Sequence, residues 1–240
     1  MSKLILTADD LAAIEAAVRA AETRTMGEIY CVLAEESSDY HATPLAWAAG
    51  VALLAPAILL LFGVEVTAPE LRMFGGWTAD QVEAVGEATA RAALTGALLL
   101  QGLLFLATLF IVAIPPVRRA LTPRGMKRDR VRMRAEEQFL SKNLHATRER
   151  TGVLIYVSAA ERMAELIADE AVHAQAPDGV WDRAMAALTA GLKRRRAAEG
   201  FIAAIGLCAD VLAERFPARP GDNPNELPDA VVVLSRGSSV

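Results

Sequence analysis

How residues 151–172, TGVLIYVSAAERMAELIADEAV, divide between strand and helix settles what kind of domain this chain builds. After Thr151 and Gly152, the run VLIYVS is rich in β-branched and aromatic residues and predicts a short buried strand. The next fourteen residues, AAERMAELIADEAV, are ambivalent. Their alanines and glutamates favour helix, whereas MAELIAD alternates as a strand does, and pattern alone tips the stretch to helix. Downstream, Pro177, Asp178 and Trp181 open an amphipathic helix that passes through Ala187, Leu188 and Leu192. It ends in the basic run Lys193, Arg194, Arg195, Arg196, with Gly200 beyond. A last helix carries Phe201, Ile205, Cys208 and Leu212, and Pro217 stops it. Residues 217–240 hold four prolines and Gly221 and are expected to form a flexible tail, in which Val231 to Leu234 is too short to fold alone.

Upstream, residues 127–145 read as a basic, then amphipathic helix with Val131, Ala135, Phe139 and Leu140 on its apolar side. At the start of the chain, Thr7 and Asp10 make a capping-box-like pair, with Asp in place of the usual Glu. Leu11, Ile14, Val18 and Ala21 then recur at helical spacing. Gly27 opens EIYCVLAEES, a mostly buried strand. One helix and one strand cannot form a stable domain, so their partners must come from later in the chain.

What separates them is apolar. The 240 residues are 53% hydrophobic and 22% charged, with formal net charge −4 and a mean hydropathy of +0.29. The positive hydropathy comes from two blocks. Residues 42–64 are 23 uncharged residues, which as a helix reach about 35 Å at about 1.5 Å per residue, enough to cross a hydrocarbon core of about 30 Å. Residues 92–117 are a second block of 26 uncharged residues, ending in Pro115, Pro116 and Val117. Both predict transmembrane helices. Pro56 is expected to kink the first, and Ala46, Gly50, Gly96 and Gly102 suit close packing as a hairpin and allow a homo-oligomer. No charge lies within either block, which argues against a proton relay or transporter site.

Orientation follows from the flanks. Residues 118–134 hold eight bases (Arg118, Arg119, Arg124, Lys127, Arg128, Arg130, Arg132, Arg134) and one acid, Asp129. The connecting loop, residues 65–91, holds five acids and two bases. The positive-inside rule therefore places the segment after the second block in the cytoplasm, the loop outside, and both termini cytoplasmic. Leu4 to Leu6 is too short for a signal-peptide core. In this position the basic run is expected to meet anionic lipid, not nucleic acid. Trp47 and Trp77 suit interfacial anchoring, and Trp181 suits a core. The organisation is thus one α/β domain in two parts, 1–41 and 118–216, interrupted by a hairpin at 42–117 and followed by the tail 217–240.

Four stretches together resemble the TPM domain family, specifically its bacterial membrane branch, in which two spans interrupt the domain after its first strand. They are GEIYCVLAEES (27–37), ERTGVLIYVSAAERMAELIADEAV (149–172), PDGVW (177–181) and EGFIAAIGLCADVLAERFP (199–217). The resemblance implies a small mixed sheet sandwiched by helices and turns residues 163–169 into a strand pairing with 153–158, against the pattern-only preference for helix. It also implies a bacterial inner-membrane location. Family members are associated with assembly or repair of membrane complexes, and some lumenal ones with phosphatase activity and divalent-metal binding. Where relatives carry Asp-Arg-Gly after this strand, the chain has Asp169-Glu170-Ala171, which removes a cation and a permissive turn residue.

Chemistry-bearing residues are sparse. Glu161, Asp169 and Glu170, with Asp178 and Asp182 nearby, offer oxygen ligands of the kind that hold Ca²⁺ or Mg²⁺, without EF-hand spacing. Asp178 equally suits helix capping. His173 near Asp169 is the one pair placed for acid–base work, and no GxSxG, HExxH, P-loop or GxGxxG motif occurs. Cys31 and Cys208 lack metal or disulfide spacing and are expected in the core. Lys193 to Arg196 is a candidate partner-docking surface. The expectation is a membrane-anchored, non-enzymatic assembly or quality-control factor without a cofactor, working with lipid and with another membrane or cytoplasmic protein. The alternative is a divalent-metal-dependent phosphatase using Asp169 and its neighbours.

Overall fold

The computed structural model describes residues 6–62, 79–219 and 225–235. Two compact units emerge, one from Met1–Asp39 with Pro123–Val240 and one from Tyr40–Thr122.

The first unit begins with α1 (Ala8–Glu22). Thr7 Oγ1 accepts the Asp10 N–H at 3.1 Å and Asp10 Oδ2 accepts the Thr7 N–H at 2.9 Å, so the Asp closes a full capping box. These bonds hold the Asp10 carboxyl below its ordinary value. Strand β1 (Glu28–Ala34) follows, with all seven residues buried.

The second unit contains α2 (Ala42–Leu61), α3 (Ala79–Ala113) and α4 (Pro115–Leu121). Residues 79–91, expected as loop, continue the helix of the second apolar block, while 63–78, including Trp77, fall outside the described residues. Thr43 and Thr122 join hydroxyls at 3.1 Å, and Trp47 Nε1 donates to the Leu121 carbonyl at 3.3 Å.

The first unit resumes with α5 (Arg124–Ser141), a 3₁₀ turn at Leu144–Ala146, β2 (Gly152–Ser158), β3 (Met163–Ala168), α6 (Glu170–Gln175), α7 (Val180–Lys193), α8 (Ala197–Arg215) and β4 (Val232–Leu234). The sheet order is β3-β2-β1-β4. β1 pairs parallel to β2 from Glu28↔Gly152 to Ala34↔Ser158, and parallel to β4. β2 and β3 form an antiparallel hairpin.

Alternation along the strands sorts side chains to two faces. Ile29, Cys31, Leu33, Val153, Ile155 and Val157 pack under α1, α7 and α8, where Ile14, Val18, Leu188, Phe201 and Leu212 complete a core. Tyr30, Val32, Leu154 and Tyr156 turn the other way, to Val131, Ala135 and Phe139 of α5 and to Leu144. Helices thus cover both faces, and the parallel pair is buried throughout. Helices α7 and α8 approach so closely that a Cβ on Gly191 would lie 2.5 Å from the Gly200 Cα.

Two expectations from pattern are corrected. Residues 163–168 are a strand, not helix, because six ladder pairs with β2, from Ser158↔Met163 to Val153↔Ala168, outweigh a weak local preference. All six β3 residues are half-buried, so the sheet edge blurs the alternation that would have marked it. Val232–Leu234, expected inside a tail, is the fourth strand, since β1 supplies the partner that so short a strand lacks by itself. The remaining tail residues 220–224 and 236–240 fall outside the described residues. Helix α7 starts at Val180 on a left-handed Gly179 (φ 73°) with no side-chain cap, so Asp178 does not cap it.

Candidate functional site

The acids expected to share a metal do not converge. Asp169 directly follows β3, its N–H donating to the Gly152 carbonyl at 2.9 Å, and it caps α6 by accepting the Glu170 N–H on Oδ1 at 2.6 Å. Its side chain is buried; Oδ2 has no hydrogen-bond partner, and Arg150 Nε stands 3.9 Å from Oδ1. Glu161 belongs to the β2–β3 turn, where Oε2 accepts the Ser37 N–H at 3.3 Å and the Ser158 hydroxyl. The β2–β3 register puts these two acids beyond opposite ends of β3, whose five steps from Met163 to Ala168 span about 17 Å at about 3.4 Å per residue. Glu170 is exposed. Among the described residues no three His, Cys, Asp or Glu side chains are placed to hold a metal ion. The expected trio is not brought together: Glu161 lies across the hairpin from the adjacent pair Asp169 and Glu170. His173 meets Asp169 through its backbone N–H, 2.9 Å from the Asp169 carbonyl.

A carboxylate cluster that sequence reasoning missed lies at the start of β1. Glu22 accepts the Ile29 N–H at 3.1 Å. Glu28 accepts the Glu226 N–H at 3.2 Å and the Leu227 N–H at 3.3 Å on its two oxygens. Arg19 Nε donates to Asp229 Oδ2 at 3.2 Å. Burial pushes the Glu22 carboxyl up to about 8, with the charges of Glu28 and Asp229 adding to it, and burial also raises Glu28. A signal was present in the sequence. Glu28 opens a run that is otherwise apolar, and an acid buried there must be satisfied by hydrogen bonds.

The basic residues occupy three helix ends. Arg118 and Arg119 lie in the last turn of α4, and Arg119 Nε donates to the Pro115 carbonyl at 3.3 Å. Arg124, Lys127 and Arg128 open α5, whose first turn holds no acid and whose inner side is taken by Val131, Ala135 and Phe139. Lys193, Arg194, Arg195 and Arg196 form the exposed α7–α8 turn, with Arg195 in the left-handed region (φ 60°) and Arg196 paired with Glu199 at 3.2 Å.

Cys31 and Cys208 are buried free thiols, and burial raises both. Trp181 packs against the core as expected, with its Nε1 lacking a hydrogen-bond partner. Glu149, Arg215, Phe216 and Arg219 line a cavity of about 230 Å³, bridged by an Arg219–Glu149 pair at 3.0 Å.

Among the described residues, two helices are long and apolar enough to cross a membrane, the candidate stretches being Ala42–Leu59 and Leu94–Ala113. Within the second, Leu94, Leu98, Leu99 and Leu103 are 66–68% exposed.

These features define a split α/β protein: a four-stranded mixed sheet between helices, with a pair of apolar helices inserted after its first strand. The TPM domain profile matches residues 110–211, from the end of α3 into α8, in agreement with the resemblance carried by the sequence. Among solved structures, the chain is similar to the BA42 protein from the psychrophilic bacterium Bizionia argentinensis, determined by NMR. Identity is 18%, the TM-score is 0.52, and 95% of each chain is covered, a likeness of fold. Comparison with curated proteins finds no match.

Proposed function

We propose that this chain is a bacterial inner-membrane protein whose TPM-like unit acts at the cytoplasmic face as a non-enzymatic assembly or quality-control partner of another membrane or cytoplasmic protein. The observation that carries the anchor is the outward-facing leucine surface of α3. Leaving a leucine in water instead of burying it forfeits about 1.5–3 kcal/mol, and lipid removes that cost.

The basic start of α5 supports the same placement. Cations at a helix N-terminus oppose the helix dipole by about 0.3–1 kcal/mol each, and Arg124 and Lys127 stand in a first turn that holds no acid, with Arg128, which lies within reach of the Glu165 charge, just beyond. Anionic headgroups at the cytoplasmic leaflet supply the missing countercharge, and Arg118 and Arg119 add to the same run. The exposed turn Lys193 to Arg196 suits an acidic patch on the protein partner, because it sits on two helices packed through Gly191 and Gly200.

Fractionation and a reporter fusion test the proposal together. The protein should stay with membranes through an alkaline carbonate wash, and a reporter joined after His145 should show cytoplasmic activity. Release into the wash removes the anchor, and periplasmic activity reverses the orientation. Replacing Lys193, Arg194 and Arg195 with alanine should lower crosslinking to neighbouring proteins in cells without changing membrane retention.

A further inference from the structure

The outer edge of β1 is closed by very little. β4 contributes three register pairs, Val32↔Val232 to Ala34↔Leu234, and the Glu35 N–H donates to the Leu234 carbonyl at 2.9 Å just beyond them. Val233 remains 52% exposed. The preceding residues hold on through side chains, with Glu28 taking the Glu226 and Leu227 N–H groups and Arg19 taking Asp229. These contacts join α1, β1 and Glu35 to groups within residues 225–235, and the Arg148 N–H adds a bond to the Glu226 carboxylate at 3.1 Å, so eleven consecutive residues carry the segment's side of the attachment. Pro217, Ala218 and Arg219 are fixed to the unit by a bridge to Thr25, a bond to the Arg24 carbonyl at 3.2 Å and the pair with Glu149, so the tether to the segment is residues 220–224, which reach at most about 18 Å.

We propose that the β1 edge is a strand-exchange site, held in cis by residues 225–235 and able to take the same residues of a second copy in trans. The two modes make the same contacts, so tether length and copy concentration set the balance between them. A short edge strand on a tether is the arrangement from which swapped pairs form, because an open edge accepts any strand of matching chemistry.

The test uses full-length protein in detergent and a dye-labelled synthetic peptide of residues 225–235 as the trans segment. In this parallel register, Val232 and Leu234 turn their backbone groups towards β1, so Leu234→Pro removes one ladder N–H and frees the edge. Fluorescence anisotropy should show saturable peptide binding to Leu234→Pro at least tenfold tighter than to the unmodified chain, whose own segment competes. Asp229→Asn in the peptide should weaken binding several-fold. No saturable binding to either protein, or equal binding to both, overturns the proposal.

A second measurement does not depend on the proline variant folding. Two differently tagged full-length copies, one Ala20→Cys and one Ala230→Cys, each exposed beside the Arg19–Asp229 pair and leaving it intact, are mixed and treated with a short bismaleimide, the native Cys31 and Cys208 being buried. A covalent pair carrying both tags is expected, and excess unlabelled peptide should suppress it. A pair insensitive to the peptide, or no pair at all, overturns exchange between copies.

Discussion

Leu154 in β2 and Leu98 in α3 are the same side chain in opposite surroundings: the first has no exposed surface, and the second keeps 67% of its own. In the sheet unit, β1 and β2 bury every residue between two helical layers, and the strands alternate their apolar side chains to both. In the helical unit, α2 and α3 pack on each other and turn the remaining apolar surface outward. Apolar composition alone therefore does not mean interior. It means that water is excluded, by protein in one unit and, as proposed, by lipid in the other.

The largest expected effect breaks that contrast on its outer side. Leu98→Asp together with Leu103→Asp places two carboxylates where each costs about 2.5–3.5 kcal/mol in a bilayer centre. Membrane retention after a carbonate wash should be lost; a doubly charged variant that remains bound would show that α3 does not span. Next is the inner side. Phe201 is completely buried, and Phe201→Ala should destabilise the sheet unit by about 3–5 kcal/mol in denaturant titrations in detergent. Leu103→Ala, at an exposed position, should leave that same transition in place.

A smaller effect concerns pH. Glu22 has its carboxyl raised from 4.5 to about 8 in the folded chain, and Glu28 and Glu165 are raised as well, each first by burial. A raised carboxyl means that the folded state holds more protons than the unfolded one across that interval. Its stabilisation is complete below about 4.5 and is lost as the pH rises through about 8. The melting temperature at pH 5.5 should exceed that at pH 8.5, and Glu22→Gln should shrink the difference. A flat profile would place the carboxylates in water, and a slope of opposite sign would mean that their N–H partners hold them ionised. The smallest effect is Thr7→Ala, which removes one side of the α1 capping box and should cost about 1 kcal/mol, read as a lowered unfolding midpoint.

The candidate sites were unevenly legible. The basic runs could be read directly, because eight cations within residues 118–134 need no tertiary partner to be recognised. The acids could not. Asp169 and Glu161 are close in sequence, but the hairpin carries them to opposite ends, and Asp169 spends one oxygen on capping α6. Glu22, Glu28 and Asp229 meet only because residues 225–235 return to β1, a contact spanning about two hundred positions that no local pattern encodes.

By itself the sequence determined α1, both buried parallel strands, the two apolar helices, and the amphipathic helices α5, α7 and α8. Each of these is written in local periodicity, a capping pair or an unbroken apolar run, and burial then acts on a preference already present. The tertiary structure alone decided that residues 163–168 are strand, that Val232–Leu234 joins the sheet, and which carboxylates share a site. The reason is that an edge strand has weak alternation and few contacts of its own. Its backbone hydrogen bonds exist only once a partner strand, assembled from distant sequence, presents the other half of the ladder.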